Sequence, residues 1–300
     1  MKTALLLSKK RMVEKFLQAT DYTSSAFAFV NLFTWKDFFD FRFQIIDGAL
    51  CIFAKNFLGS FLYLPPLGGR ITPKTIHACF DVMFKENKGR GISRIENVEE
   101  KDLGLFPLQE YQVYKKGEEF VYARDDIACL RGNKYKSKRA LYNQVIRQAD
   151  PLFVPYTLRM RKDCLLLYAQ WAKVRKARNA DDIYQQMIDE NVKVHDLCLR
   201  YHKELGLVGR VVFIEGALSA YSFGFRLKDD TFCVLLEIAD PAIKGLPTYI
   251  FKEFCADPQV RKFLFVNVMD DFGLERIRAT KLSFRPCQIH SCYVVSRKDC

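Results

Sequence analysis

No apolar run in the 300-residue sequence approaches the roughly 18 residues of a membrane span, because Lys, Arg, Asp or Glu interrupts every long apolar stretch. No bilayer crossing is expected. The opening Met1-Lys2-Thr3-Ala4-Leu5-Leu6-Leu7 imitates an export signal, but Ser8-Lys9-Lys10-Arg11 cuts its core short of the ~7 to 15 apolar residues that export requires. A cytoplasmic protein is expected. Cys-x-x-Cys spacing is absent, and the ten cysteines are scattered through apolar segments (Cys51, Cys129, Cys164, Cys198, Cys233, Cys255), as reduced core residues would be. In the densest cluster, Cys287, His290 and Cys292, a strand would point residue 287 away from the other two and leave no fourth ligand, so no metal site is expected. His77, His195 and His202 fall on expected helices with no Ser or Cys at a recognisable spacing, which argues against a hydrolase triad.

What is present is apolar content of 49% with 14% aromatics, enough to bury the two cores that this length suggests. Lys and Arg number 47 against 35 Asp and Glu, a net charge of +12. Such a surface attracts nucleic acid, anionic lipid or phosphorylated cofactors, and charge does not choose among them.

The chain repeats itself. Ile46-Asp47-Gly48-Ala49-Leu50 returns 168 residues later as Ile214-Glu215-Gly216-Ala217-Leu218, each flanked by apolar runs as a hairpin turn should be. Asn97-Val98 returns as Asn267-Val268, and Asp102-Leu103-Gly104-Leu105 as Asp271-Phe272-Gly273-Leu274, in nearly the same register. An internal duplication is expected. Periodicity and breakers give the second copy as hairpin 210–226, strand 232–238, helix 247–255, strand 263–268, helix 274–282 and strand 288–295. The first copy reads as hairpin 41–54, strand 61–64, helix 73–85, strand 92–98, a short segment 99–106 and a hairpin 111–122. Helices 137–148, 158–177 and 180–205 lie between them, and Cys164, Leu167, Tyr168, Trp171 and Val174 form a core-facing stripe on the second. The expectation is an α/β (α+β) chain of mixed sheets with helices on both faces, divided as 1–130 and 131–300, with 131–206 as a helical connection.

This order, doubled, resembles the GNAT acyltransferase fold in tandem form. Asn267, Asp271-x-Gly273, Arg278-x-x-Lys281-x-Ser283-Phe284-x-Pro286, the block Gly132-x-Lys134-Tyr135-x-x-Lys138-Arg139 with Asn143, Pro65-Pro66-Leu67-Gly68 and the Trp35 region are together similar to the phosphatidylglycerol lysyltransferase C-terminal domain family. The resemblance implies a tandem GNAT domain whose lipid-modifying relatives move an aminoacyl group from aminoacyl-tRNA to a lipid head group. The family's Glu-Lys pair appears here as Glu237-Ile238.

An acyl-CoA-dependent GNAT wraps the pyrophosphate in backbone N–H groups at a helix start. Here Ala242-Ile243-Lys244-Gly245-Leu246-Pro247 lacks the basic first residue, and Pro247 removes a donor. Acetyl-CoA is the less favoured donor and no bound cofactor is expected. Leu67-Gly68-Gly69-Arg70 reads as a turn, and Lys88-Gly89-Arg90-Gly91 as a loop. Aminoacyl transfer needs a dry channel, an oxyanion donor and a proton acceptor. Asp271, Glu237 and Lys281 are the catalytic candidates, with helix capping as the alternative role for Asp271. Arg278, three residues before Lys281, shares its face and with it could hold a phosphate. Lys134, Lys136, Lys138 and Arg139, interleaved with Tyr135, are candidates for binding tRNA or an anionic membrane surface, or plain solvated surface. The leading reading is an acyltransferase using aminoacyl-tRNA and a lipid head group or other amine or hydroxyl acceptor. A non-catalytic RNA- or membrane-binding module and an acyl-CoA-dependent N-acetyltransferase are the alternatives.

Overall fold

The computed structural model describes residues 2–68, 71–178 and 181–298. Expectations for Gly69-Arg70 and for a helix start at Ala180 lie outside the described residues. In chain order the elements are α1 (Lys2–Gln18), α2 (Phe29–Thr34), β1 (Asp40–Ile46), β2 (Ala49–Lys55), β3 (Ser60–Leu62), α3 (Pro73–Asn87), β4 (Arg94–Glu99) and β5 (Tyr111–Ala123). There follow α4 (Arg124–Cys129), α5 (Lys136–Ala149), β6 (Leu152–Pro155), α6 (Arg161–Ala177), α7 (Asp182–Arg200), β7 (Val208–Ile214) and β8 (Ala217–Arg226). The chain finishes with β9 (Thr231–Ala239), α8 (Leu246–Ala256), β10 (Phe265–Asp270), α9 (Glu275–Leu282) and β11 (Gln288–Arg297). Two compact units result: one takes the chain up to Glu119 with Asp270–Leu274 and the chain from Ile289 onward, the other Phe120–Met269 and Glu275–Gln288.

The first unit orders its strands β1-β2-β3-β4-β11-β5. Asp47 and Gly48 both have positive φ, 48° and 81°, the mirror-image turn whose twist suits a two-residue hairpin, and they join β1 to antiparallel β2. β2 buries six consecutive residues, so both its faces must be covered; α1 packs on β2 and α3 on β1 and β3. Thr72 caps α3 through the Thr75 N–H, Pro73 opens the helix, and left-handed Lys88 ends it. α3 carries the chain from β3 to parallel β4 (Leu62 opposite Ile95), and β11 lies antiparallel on the other side of β4 (Cys292 opposite Glu99). Two buried carboxylates clamp the turn before α2. Glu99 accepts from the N–H and hydroxyl of Thr23 and the N–H of Ser24, while Glu119 accepts from both serine hydroxyls and the Ser25 N–H.

The second unit orders its strands as the end of β5, then β10-β9-β8-β7-β6. Its hairpin turn repeats the first one, with φ 51° at Glu215 and 78° at Gly216, and β9 again runs parallel to β10 across a helix, α8. The duplication is thus visible in turn type, strand pairing and connection. On β8, Ala220 packs with Tyr249 and Ile250 of α8, whereas the neighbouring Tyr221 faces the other way and bonds its hydroxyl to Nδ1 of His195 on α7 at 2.7 Å. Helices therefore cover both faces. Burial lowers the His195 pKa to about 3, so this ring is a neutral core residue.

Three expectations are corrected. Residues 111–122 form no hairpin but one strand, β5; the run Lys115-Lys116-Gly117-Glu118-Glu119 imitates a turn, yet Lys115 pairs with Glu118 along the strand and Lys116 with Glu96 of β4. Cys129 is exposed rather than core, because α4 ends there and Leu130 turns left-handed to bury itself instead. The helical connection contains a strand, β6, antiparallel to β7 and closed by Pro155, which suits an edge.

Arg210 on β7 places its guanidinium across both Asp257 oxygens at 2.6 and 3.0 Å, with both residues buried. Arg210→Ala leaves a buried carboxylate unpaired and is expected to cost roughly 3–5 kcal/mol. Urea unfolding measures this, with a drop below 1 kcal/mol showing that water replaces the guanidinium.

Candidate active site

In the second unit β9 carries a bulge: Phe223 and Gly224 of β8 face Leu236 and Val234, leaving Leu235 without a partner. Just beyond it, Glu237 stands opposite Ser222. The Glu237 Oε2 is buried with no hydrogen-bond partner among the described residues. Burial pushes its carboxyl pKa up to about 8, with the Ser222 hydroxyl pulling the other way. The same carboxyl is close enough to raise the pKa of the Tyr122 phenol and Cys255 thiol, themselves already raised by burial. A desolvated acid at the end of a bulged strand can hold a proton near neutral pH and exchange it with a bound reactant.

Beside it, the last residue but one of β10 is left-handed Met269 (φ 61°), whose N–H donates to Oδ1 of buried Asn267 at 2.7 Å. Lys281 on α9 donates from Nζ to the Val268 and Met269 carbonyls at 2.6 and 3.1 Å. The Tyr122 hydroxyl donates to the Lys281 carbonyl at 2.8 Å. Arg278 and Lys281 share a helix face as their spacing requires, and both cations lie over the Phe120 ring.

The basic block does other work as well. Tyr135 donates its hydroxyl to the Phe284 carbonyl, and Lys138 donates to the Ser283 hydroxyl at 2.6 Å while covering the Phe284 ring. Desolvation lowers the Lys138 pKa. Arg139 donates to the carbonyls of Leu130 and Gly132, Lys134 pairs with Asp126, and Lys136 is exposed at the start of α5. Two sequence blocks separated by more than 130 residues thus meet, the first bracing the turn after α9. Sequence reasoning missed Tyr122 and Tyr135 as anchors; only the tyrosine inside the basic block offered a signal.

Asp271 belongs to the first unit, follows β10 directly and is 5% exposed. Its Oδ1 accepts from the Gly273 N–H at 3.0 Å and its carbonyl from the Leu274 N–H, closing a turn. In the loop before α8, Asp240 takes the N–H groups of Ala242 and Ile243, the Leu246 N–H goes to the Ile243 carbonyl, and a Cβ on Gly245 would stand 2.5 Å from the Leu141 carbonyl of α5. Those donors face inward to the loop.

The model of the phosphatidylglycerol lysyltransferase C-terminal family matches residues 18–296. The chain belongs to that family. No curated protein matches it. Among solved structures, a conserved protein of unknown function from Bacteroides thetaiotaomicron is 24% identical, with 97% of each chain covered and a TM-score of 0.86. L-PGS from Bacillus licheniformis is 18% identical over 96% of this chain and 91% of that one, with a TM-score of 0.66. A tandem GNAT protein from the clavulanic acid biosynthesis pathway is 9% identical over 97% and 96%, with a TM-score of 0.54. The fold is that of two tandem GNAT-like domains. Among the described residues no helix is long and apolar enough to cross a membrane.

Because the Glu237 pKa rises from 4.5 to about 8 on folding, the folded chain holds a proton there that the unfolded chain releases. Its contribution to stability is complete below pH 4.5 and is lost as pH rises through about 8. Glu237→Gln should therefore gain stability relative to the wild type between pH 5 and 8, on the order of a few kcal/mol. Thermal unfolding at both pH values checks it; a constant difference would mean that the carboxyl is solvated.

Proposed function

We propose that this chain is a GNAT-type acyltransferase that moves an aminoacyl group from aminoacyl-tRNA to a lipid head group or another hydroxyl or amine acceptor. The observation that carries the reading is the Glu237 carboxyl in a member of this family, with one oxygen buried and without a hydrogen-bond partner among the described residues. In the reaction the acceptor oxygen or nitrogen attacks the ester carbonyl carbon, and its proton passes to ionised Glu237. The ester bond to the ribose oxygen then breaks, and that oxygen takes the proton back. Every atom of the donor is returned as free tRNA or product.

Lys281, which satisfies the carbonyls at the end of β10, acts in this reading as a positioning residue. Arg278 beside it offers a fork for a phosphate, and Asp271 orients the loop between β10 and α9. Of the basic block, Lys136 is the cation most available to a polyanion. Acetyl-CoA is disfavoured as donor because the loop before α8 spends the N–H groups of Ala242, Ile243 and Leu246 within itself and Pro247 has none.

With lysyl-tRNA as donor and phosphatidylglycerol vesicles as acceptor, Glu237→Gln should lower turnover by about 10²-fold or more with the fold intact, and flatten a wild-type rate that climbs with pH toward about 8. Unaltered turnover in the variant removes Glu237 from the chemistry. Calorimetric titration with acetyl-CoA should show no binding, and micromolar affinity would instead favour an acyl-CoA donor.

A further inference from the structure

The connection from β2 to β3 in the first unit ends in two adjacent apolar side chains, Phe57 and Leu58, which are 91% and 53% exposed. Three of its backbone N–H groups are held within the turn. The Asn56 N–H donates to the Gly59 carbonyl at 3.1 Å, and the Asn56 side-chain oxygen accepts from the N–H groups of Leu58 and Gly59 at 3.0 and 3.3 Å. The root is held fast as well. Asn87 exchanges both of its amide groups with the backbone of Ser60 at 2.8 Å, and a Cβ on Gly59 would stand 2.2 Å from Ile92 and 2.6 Å from Asn87 Oδ1, so only glycine fits there.

We propose that this tip inserts into the interfacial layer of a lipid bilayer. The interfacial layer is hydrated, so the backbone groups of this turn can stay among head groups and water while the ring and the isobutyl group reach the acyl chains. Exposed Lys55 at its foot can keep its ammonium among the head groups while its stem follows the apolar pair. Around the foot Lys36 pairs with Asp37, and Asp40 stands opposite Lys55 in the β1–β2 register, so the charges there are of both signs. The net charge of +12 on the whole chain supplies the long-range attraction to an anionic surface, and the tip supplies the apolar hold, the two signals that peripheral binding requires. The inference rests on no step of the transfer reaction.

The test is sedimentation of the full chain with vesicles of equal parts phosphatidylglycerol and phosphatidylcholine, at low and high salt. Burial of each side chain is worth roughly tenfold in partitioning, so Phe57→Ser combined with Leu58→Ser should bind about a hundredfold more weakly. Salt should weaken wild type and variant alike and leave their ratio unchanged, since screening acts on charge alone. Phe57→Trp should keep binding and show fluorescence quenching by brominated acyl chains beyond that of Trp35 and Trp171 in the wild type. Equal partitioning of the double variant overturns the proposal, as does a ratio that collapses at high salt. So does a wild type that self-associates through the tip while the variant is monomeric and binds vesicles equally.

Discussion

Lys281 donates to the Val268 and Met269 carbonyls, just past the residues through which β10 pairs with β9, and the arrangement of the second unit's family residues follows from that contact. A strand that turns left-handed at Met269 leaves its carbonyls without a ladder, and unpaired carbonyls in a part-buried place are costly. An ammonium reaching back thirteen residues answers both and thereby fixes the helix that carries it. With α9 fixed, Tyr122 can meet its Lys281 carbonyl, and Tyr135 and Lys138 can meet the turn at Ser283 and Phe284. Of the residue types that read as phosphate binders, Lys281 and Lys138 hold this short helix and the turn after it by hydrogen bonds.

That outcome explains which parts of the chain were legible. Hairpins at Asp47-Gly48 and Glu215-Gly216 declared themselves because their turn demands positive φ and the sequence supplies residues that tolerate it. Strands and helices carried their own periodicity, and the repeat fixed their order. β5 was misread because a local run of opposite charges around a glycine looks the same whether it turns back or pairs along an extended strand. The roles of Lys138 and Arg139 were hidden for a related reason: their acceptors are a hydroxyl 145 residues away and two backbone carbonyls, neither of which leaves a mark in sequence. Glu237 was singled out by its place at a strand end, but its desolvation follows from the bulge at Leu235, which no local pattern announced.

The buried glutamates differ in a way that bears on chemistry. Glu99 and Glu119 each accept three donors from the turn at residues 23–25, and the Glu99 oxygen left without a hydrogen bond has the Lys101 ammonium 3.3 Å away, so their charge is compensated where it sits. Glu237 has the Ser222 hydroxyl as its neighbour and an oxygen with no partner among the described residues. Carboxylates that merely hold a fold together gain from saturation. One left short of donors costs stability at neutral pH, and such a cost is retained where a proton has to be moved.

Duplication sharpens the point, because the two copies are not equivalent at this position. The third strand of the first copy, β3, spans Ser60–Leu62 and soon meets Pro65-Pro66, which cannot continue a ladder. Its counterpart β9 runs for nine residues, bulges at Leu235 and only then reaches Glu237. Both copies keep the hairpin, the parallel third and fourth strands and the asparagine on the fourth, Asn97 and Asn267. What the first copy lacks is the bulged extension that takes a carboxyl out of water. A fold needs its scaffold in both halves, and the asymmetry makes the second copy the one that holds the carboxyl on which the proposed transfer rests.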